Sequence, residues 1–225
     1  MRWFANAVLL LLCLPAMVAA EGVVRTPLPG PDRFELEAEL PIPLQQLLPM
    51  LEAPCHVRQW MPGTETLTVL DRPTATQTLV YMARKAPWPL SGRDAVTLFE
   101  RHPGEPLVLT MSGQPEAWPE QPGHVRVPYT EGSWTLHDKG STTRVVYQQQ
   151  VAPGGGIPQW LADRLAPGQM EAALTALESY VRDSHRKDCA AADTPVGAGS
   201  TGEHAIAFKG RRHFDEPTLT DILFE

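Results

Sequence analysis

The chain has 225 residues, 20% charged and 43% hydrophobic, with a formal net charge of −7 at pH 7. That length suits one domain with extensions. An acidic balance without a basic cluster argues against nucleic acid as a partner and against tight docking on anionic membranes.

Residues 1–20, MRWFANAVLLLLCLPAMVAA, read as a signal peptide. Arg2 is a minimal positive start, residues 4–14 are apolar apart from Asn6, Pro15 breaks the run, and Val18-Ala19-Ala20 offers small residues for cleavage before Glu21. A membrane anchor is the alternative, but the apolar run falls short of the ~20 residues a span needs. Cys13 does not fit a lipoprotein site, because Leu12 stands where a small residue belongs. Cleavage would send the chain to the periplasm or outside the cell and, by removing Arg2, make it one charge more acidic. Fifteen arginines against four lysines, with 23 prolines, suit a GC-rich bacterial genome.

Residues 21–32, rich in proline and glycine, read as a loose lead-in. RFELEAEL (33–40) alternates apolar and charged residues, as a half-buried strand does. Residues 41–54 carry Leu44, Leu47, Leu48 and Leu51 at helical spacing, a short amphipathic helix bent or ended near Pro49. About six strand-like segments follow: ETLTVLD, TQTLVYMAR, RDAVTLFER, LVLTMSG, the two-piece HVRVPYTEGSWTLH, and TTRVVYQQQV. Only turn signals separate them, which predicts an antiparallel sheet rather than β-α-β units.

A long helix is predicted over residues 158–183. Leu161, Leu165, Met170, Leu174, Leu177 and Val181 form one apolar stripe that must bury against the sheet. Pro167-Gly168 should kink or break it. The sequence thus divides into a domain over 33–185 and a low-complexity linker and tail over 186–225. Cys55 and Cys189 can pair in an oxidising compartment, which would pin the end of the helix to the N-terminal part; two independent thiols are the alternative.

No catalytic set stands out. There is no G-x-S-x-G, Walker loop, H-E-x-x-H or C-x-x-C, and neither a metal nor a cofactor is implied. Cys55 and His56 are adjacent, so their side chains rarely face each other. His102, His124 and His137 sit in apparent turns, where solvation explains them better than zinc ligation. More informative is APWPLSGRDAV (86–96). It holds Trp88 between two prolines, then Arg93-Asp94, whose plain reading is a surface ion pair worth under ~1 kcal/mol. GGGIPQWL follows the last strand. Three glycines each cost roughly 0.5–1 kcal/mol in a regular element, yet they lead straight into Ile157, Trp160 and Leu161.

Three motifs in order, P-x-x-x-R-D at 89–94, G-x-W-x-L at 132–136 and P-G-G-x-I-P-x-W-L at 153–161, resemble the START family of lipid transfer domains over residues 33–183. The resemblance implies an α+β helix-grip fold, a curved antiparallel sheet wrapped around the C-terminal helix with a tunnel for one lipid. It also implies a lid: the loop bearing Trp88 opens with a hinge at Gly154, Gly155 and Gly156, and Ile157, Trp160 and Leu161 supply its apolar underside. Arg93, Tyr81, Phe99, Met111, Tyr129, Trp134 and Tyr147 are the remaining candidate ligand contacts, with core packing as the plain alternative for the aromatics. Alternation alone does not say which face looks inward. Sterol-binding animal relatives carry an acid–base pair in the tunnel; those positions fall on Val80 and Phe99 here, so a sterol hydroxyl would lack that partner.

Three functions follow as expectations. The first is an exported, monomeric lipid-binding or lipid-transfer protein, without catalysis, that touches membranes transiently. The second is a helix-grip enzyme of cyclase or hydrolase type acting in the same cavity, with Asp94 as the nominated acid. The third is a filled-core partner-binding module acting through the 186–225 tail.

Overall fold

A computed structural model describes residues 22–29, 33–86, 90–152, 154–184 and 189. The signal-peptide reading, Trp88 and all of the tail except Cys189 lie outside the described residues.

The chain opens with β1 (Val24–Pro27), which pairs antiparallel with β2 (Arg33–Leu40), so part of the expected lead-in belongs to the sheet. Proline is compatible with this position because β1 is an edge strand. In β2, Phe34, Leu36, Ala38 and Leu40 are buried and the residues between them are not, as the alternation predicted. Two helices follow where one was expected. α1 (Leu44–Glu52) runs through Pro49, and α2 (Pro54–Trp60) begins on Pro54 after a break at Ala53. Proline at the first helical position lacks only a hydrogen bond the helix would not have made. A single apolar stripe in 41–54 could not reveal the second helix, whose buried residues are Pro54, Val57 and Trp60.

The expected strand segments form β3 (Thr64–Thr74), β4 (Gln77–Arg84), β5 (Gly92–His102), β6 (Leu107–Gly113), β7 (His124–Arg126), β8 (Tyr129–Asp138) and β9 (Thr143–Ala152). With β1 and β2 they make one nine-stranded sheet in the order β1-β2-β9-β8-β6-β5-β4-β3. All pairs on this path are antiparallel; β7 departs from the expectation by pairing parallel with the start of β5, through Gly92–His124, Arg93–Val125 and Asp94–Arg126.

The last element, α3 (Gln159–Arg182), continues through Pro167 instead of breaking there. Its predicted stripe is buried at Met170, Leu174, Leu177 and Val181, joined by Ala173 and Tyr180. These residues pack with Leu36, Leu40, Leu47, Trp60, Leu136 and Val145 into the main core between the helices and one sheet face. Each fully buried leucine there contributes about 1.5–3 kcal/mol. A smaller cluster, Leu70, Leu79, Tyr81, Ala83 and Val96, lies on the opposite face, covered by Ala117 and Trp118. The chain therefore adopts the α+β helix-grip fold.

Cys55 in α2 is joined by a disulfide to Cys189, with Cα atoms 5.8 Å apart. The bond ties the chain beyond α3 back to α2 and closes a separation of 134 residues. Replacing both cysteines by serine is expected to destabilise the domain by about 2–4 kcal/mol. Thermal unfolding should register this as a drop of roughly 5–15 °C; an unchanged midpoint would show that the link carries no load.

Candidate functional site

The main core is not filled. Between the sheet and α3 lies a cavity of about 300 Å³. Strand parity builds it. Thr78, Val80, Met82 and Arg84 of β4 turn inward, and their register partners on β5 include Thr97, Ala95 and Arg93. Leu109, Met111, Trp134 and Tyr147 extend the wall across β6, β8 and β9. Leu165, Ala166, Gln169 and Met170 of α3 form the roof, and Val57 and Trp60 of α2 close the side. Trp134 stacks edge-on against Tyr147 with ring centroids 4.6 Å apart and meets Trp60 at 6.4 Å. Burial pushes the Tyr147 hydroxyl well above its ordinary pKa, so it stays a neutral phenol at physiological pH.

The two ends of the cavity differ. Arg93 and Arg101 are eight residues apart on β5, roughly 26 Å at the usual strand rise. At the Arg101 end, Arg101 Nη1 donates to Glu52 Oε2 at 3.1 Å. Burial raises the Glu52 pKa, opposed by Arg101 and Arg72. At the Arg93 end, Leu90 and Ile157 reach the lining from the two loops read as the lid. Gly154, Gly155 and Gly156 have φ of 67°, 70° and 68°, the left-handed region that glycine adopts at no steric cost. A side chain at Gly154 would also approach Arg126 O to 3.0 Å, and one at Gly155 would approach Val125 Cγ1 to 3.1 Å. Arg93 links the two loops, donating to the carbonyls of Ser91 and Gly154.

Asp94, adjacent in sequence, belongs to different machinery. It is 1% exposed. Its two carboxylate oxygens accept from Arg126 Nε and Nη2, each at 3.0 Å. Arg126 also donates to the carbonyls of Pro115, Trp118 (2.8 Å) and Pro119 (3.0 Å), pinning the proline-rich loop over the outer face. The expected surface pair Arg93–Asp94 does not form. Successive strand residues point to opposite faces, so Arg93 goes to the cavity and the Asp94 carboxylate to Arg126.

Of the candidate contacts, Arg93, Phe99, Met111, Trp134, Tyr147 and Ile157 line the cavity together, as does Val80. Tyr81 does not: its neighbours Val80 and Met82 face inward, so it faces outward, into the smaller cluster near Asp94. Tyr129 is 41% exposed, its neighbour Thr130 taking the inward direction. Trp160 is 67% exposed. At about 100° per residue, it falls roughly 150° around α3 from the centre of the roof-forming face, and Leu161 about 110° from it. Neither reaches the lining, so of the expected lid underside Ile157 alone does. Arg84, Thr97, Glu52 and Arg101 were not anticipated. Arg84 had a signal, since it shares parity with Val80 and Met82. Among the described residues no group of three His, Cys, Asp or Glu is placed to hold a metal ion, and no helix is long and apolar enough to cross a membrane.

The family model of the START domain matches residues 22–178. An uncharacterised protein of Pseudomonas aeruginosa is 38% identical over 86 residues, 37% of this chain, and the match spans 43% of that relative's length. Among solved structures, the STAR-related lipid transfer protein of Xanthomonas axonopodis is 31% identical over 73% of this chain and 96% of its own, with a TM-score of 0.66. Human StAR-related lipid transfer protein 5 is 17% identical, covering 72% and 82%, with a TM-score of 0.64. The Zhui aromatase/cyclase of Streptomyces is 12% identical, covering 65% and 91%, with a TM-score of 0.50. The last two likenesses concern the fold alone.

Proposed function

The chain belongs to the START domain family, and from that premise we propose that it is an exported lipid-binding or lipid-transfer protein that holds one hydrophobic ligand in its tunnel and performs no chemistry on it. The observation that carries this is the hollow interior: an apolar cavity of about 300 Å³ where a filled core would have packed side chains. Enclosing about 400 Å² of apolar ligand surface is worth roughly 10 kcal/mol, enough to exceed the ordering cost of binding only when enclosure is nearly complete. The left-handed glycine run and the Arg93 bridge supply a lid that can part to admit a ligand and close over it. Trp160, exposed beside that hinge, is the aromatic that would meet a membrane during exchange. The domain works as a monomer in this reading.

Against enzyme chemistry, the nominated acid Asp94 is committed to Arg126, and Glu52 is tied to Arg101. The test is native mass spectrometry of the whole chain after incubation with a broad lipid mixture. The expected spectrum shows one lipid per monomer; a chain that stays at its apo mass throughout overturns the reading.

A further inference from the structure

The Arg93 end of the cavity carries charge that the protein does not neutralise. Arg84 and Arg93 are direct register partners on β4 and β5, and both line the cavity. Like charges set opposite one another on neighbouring strands repel. Neither guanidinium forms an ion pair among the described residues. Nearby acids are already engaged: Asp94 on Arg126, and Glu65 on Lys85 and His124. Glu52 lies at the other end, on Arg101. The Nε atoms of Arg84 and Arg93 are both buried without a hydrogen-bond partner. The contacts the two side chains do make are to backbone carbonyls: Pro62 O for Arg84 at 2.9 Å, Ser91 O and Gly154 O for Arg93. A buried donor is ordinarily satisfied, and two forks of N–H donors facing one cavity match an oxyanion.

The bore limits what the oxyanion can be attached to. At about 10–15 Å³ of cavity space per water-sized group, 300 Å³ holds roughly 20–30 such groups. Spread over the length of β5 between Arg93 and Phe99, roughly 20 Å, that is room for one chain rather than two. The lining beyond the arginines is apolar or aromatic at Met82, Val80, Phe99, Met111 and Trp134.

We propose that the ligand is a single-chain anionic amphiphile whose carboxylate or phosphate sits between Arg84 and Arg93 under the lid, with its tail along the apolar bore. This rests on the lipid-binding reading above and adds the class of ligand. Burial lowers the pKa of both arginines, yet a guanidinium starts so high that it remains charged at neutral pH.

The test uses the whole, delipidated chain loaded with Nile red, an uncharged probe, and displaces it with palmitate, palmitoyl lysophosphatidate, hexadecanol or monopalmitin. An anion is expected to displace the probe at a concentration at least tenfold below either neutral amphiphile, and whichever of palmitate and lysophosphatidate does so identifies the source of the oxyanion. Arg84→Gln should weaken the anion at least tenfold and leave hexadecanol within twofold; Arg93→Gln should act in the same direction. Neutral amphiphiles that compete as well as the anions overturn the inference and leave the lipid tunnel standing. So does an Arg84→Gln protein that keeps the full anion preference. If neither the probe nor any amphiphile binds, the lipid-binding reading falls and this inference with it. The preference of the unmodified chain needs no variant, so it decides the matter even if a substituted protein does not fold.

Discussion

Replacing Thr97 by Trp is expected to yield a folded, somewhat more heat-resistant protein that no longer takes up lipid. Thr97 lies on the inner face of β5, opposite Val80, at the middle of the tunnel. In a filled core an added ring would cost about 1–3 kcal/mol of overpacking. Here the ring enters existing space, and its burial contributes in the stabilising direction on the scale of roughly 1.5–3 kcal/mol for a large apolar side chain. The ligand loses the same space. Its affinity should fall at least 100-fold, about 3 kcal/mol. Nile red uptake and native mass spectrometry read the loss of binding, and thermal unfolding reads the stability. Ordinary lipid uptake by a folded Thr97→Trp protein would place the ligand somewhere other than this cavity.

A second large effect is expected at Asp94, on stability and not on catalysis. Removing its carboxylate leaves Arg126 charged and buried, with a side chain 7% exposed. Breaking a buried pair from one side costs about 3–5 kcal/mol. Asp94→Ala should therefore lower the unfolding midpoint by roughly 6–20 °C, and Asp94→Asn should do so by less, since the amide oxygen still accepts one bond. Hydrogen exchange should quicken around Pro115, Trp118 and Pro119, whose carbonyls Arg126 holds. A variant as stable as the parent in urea would show that the pair is dispensable. The geometry gives the Asp94 carboxylate a structural task, since both of its oxygens accept from Arg126.

The elements themselves were legible because their signals are local. The alternation of β2, the turns between β3 and β9 and the stripe on α3 each depend on a few neighbouring residues, and each appeared close to where it was expected. The glycine run was legible for a similar reason: three consecutive left-handed residues are a backbone requirement that leaves its mark in composition. Less accessible were β1 and α2. A four-residue edge strand and a seven-residue helix are held by their neighbours more than by their own periodicity, so their segments look like loop.

The candidate site divided along the same line. Phe99, Met111, Trp134 and Tyr147 all line the cavity. Tyr81, Tyr129 and Trp160 have equally suitable side chains, and they miss the cavity by one residue of strand parity or part of a helical turn. Arg84 was passed over because nothing in YMAR shows that its strand partner is another arginine.

Residue order alone determined the kinds of elements, their succession, the left-handed glycine run and the family signature, all of which follow from interactions within a few positions along the chain. Which face of each strand turns inward, that Arg93 and Asp94 part company, that Cys55 meets Cys189, and that the interior stays hollow were decided by tertiary structure. Those outcomes depend on register and on how far α3 stands from the sheet, distances set by packing between segments remote in sequence.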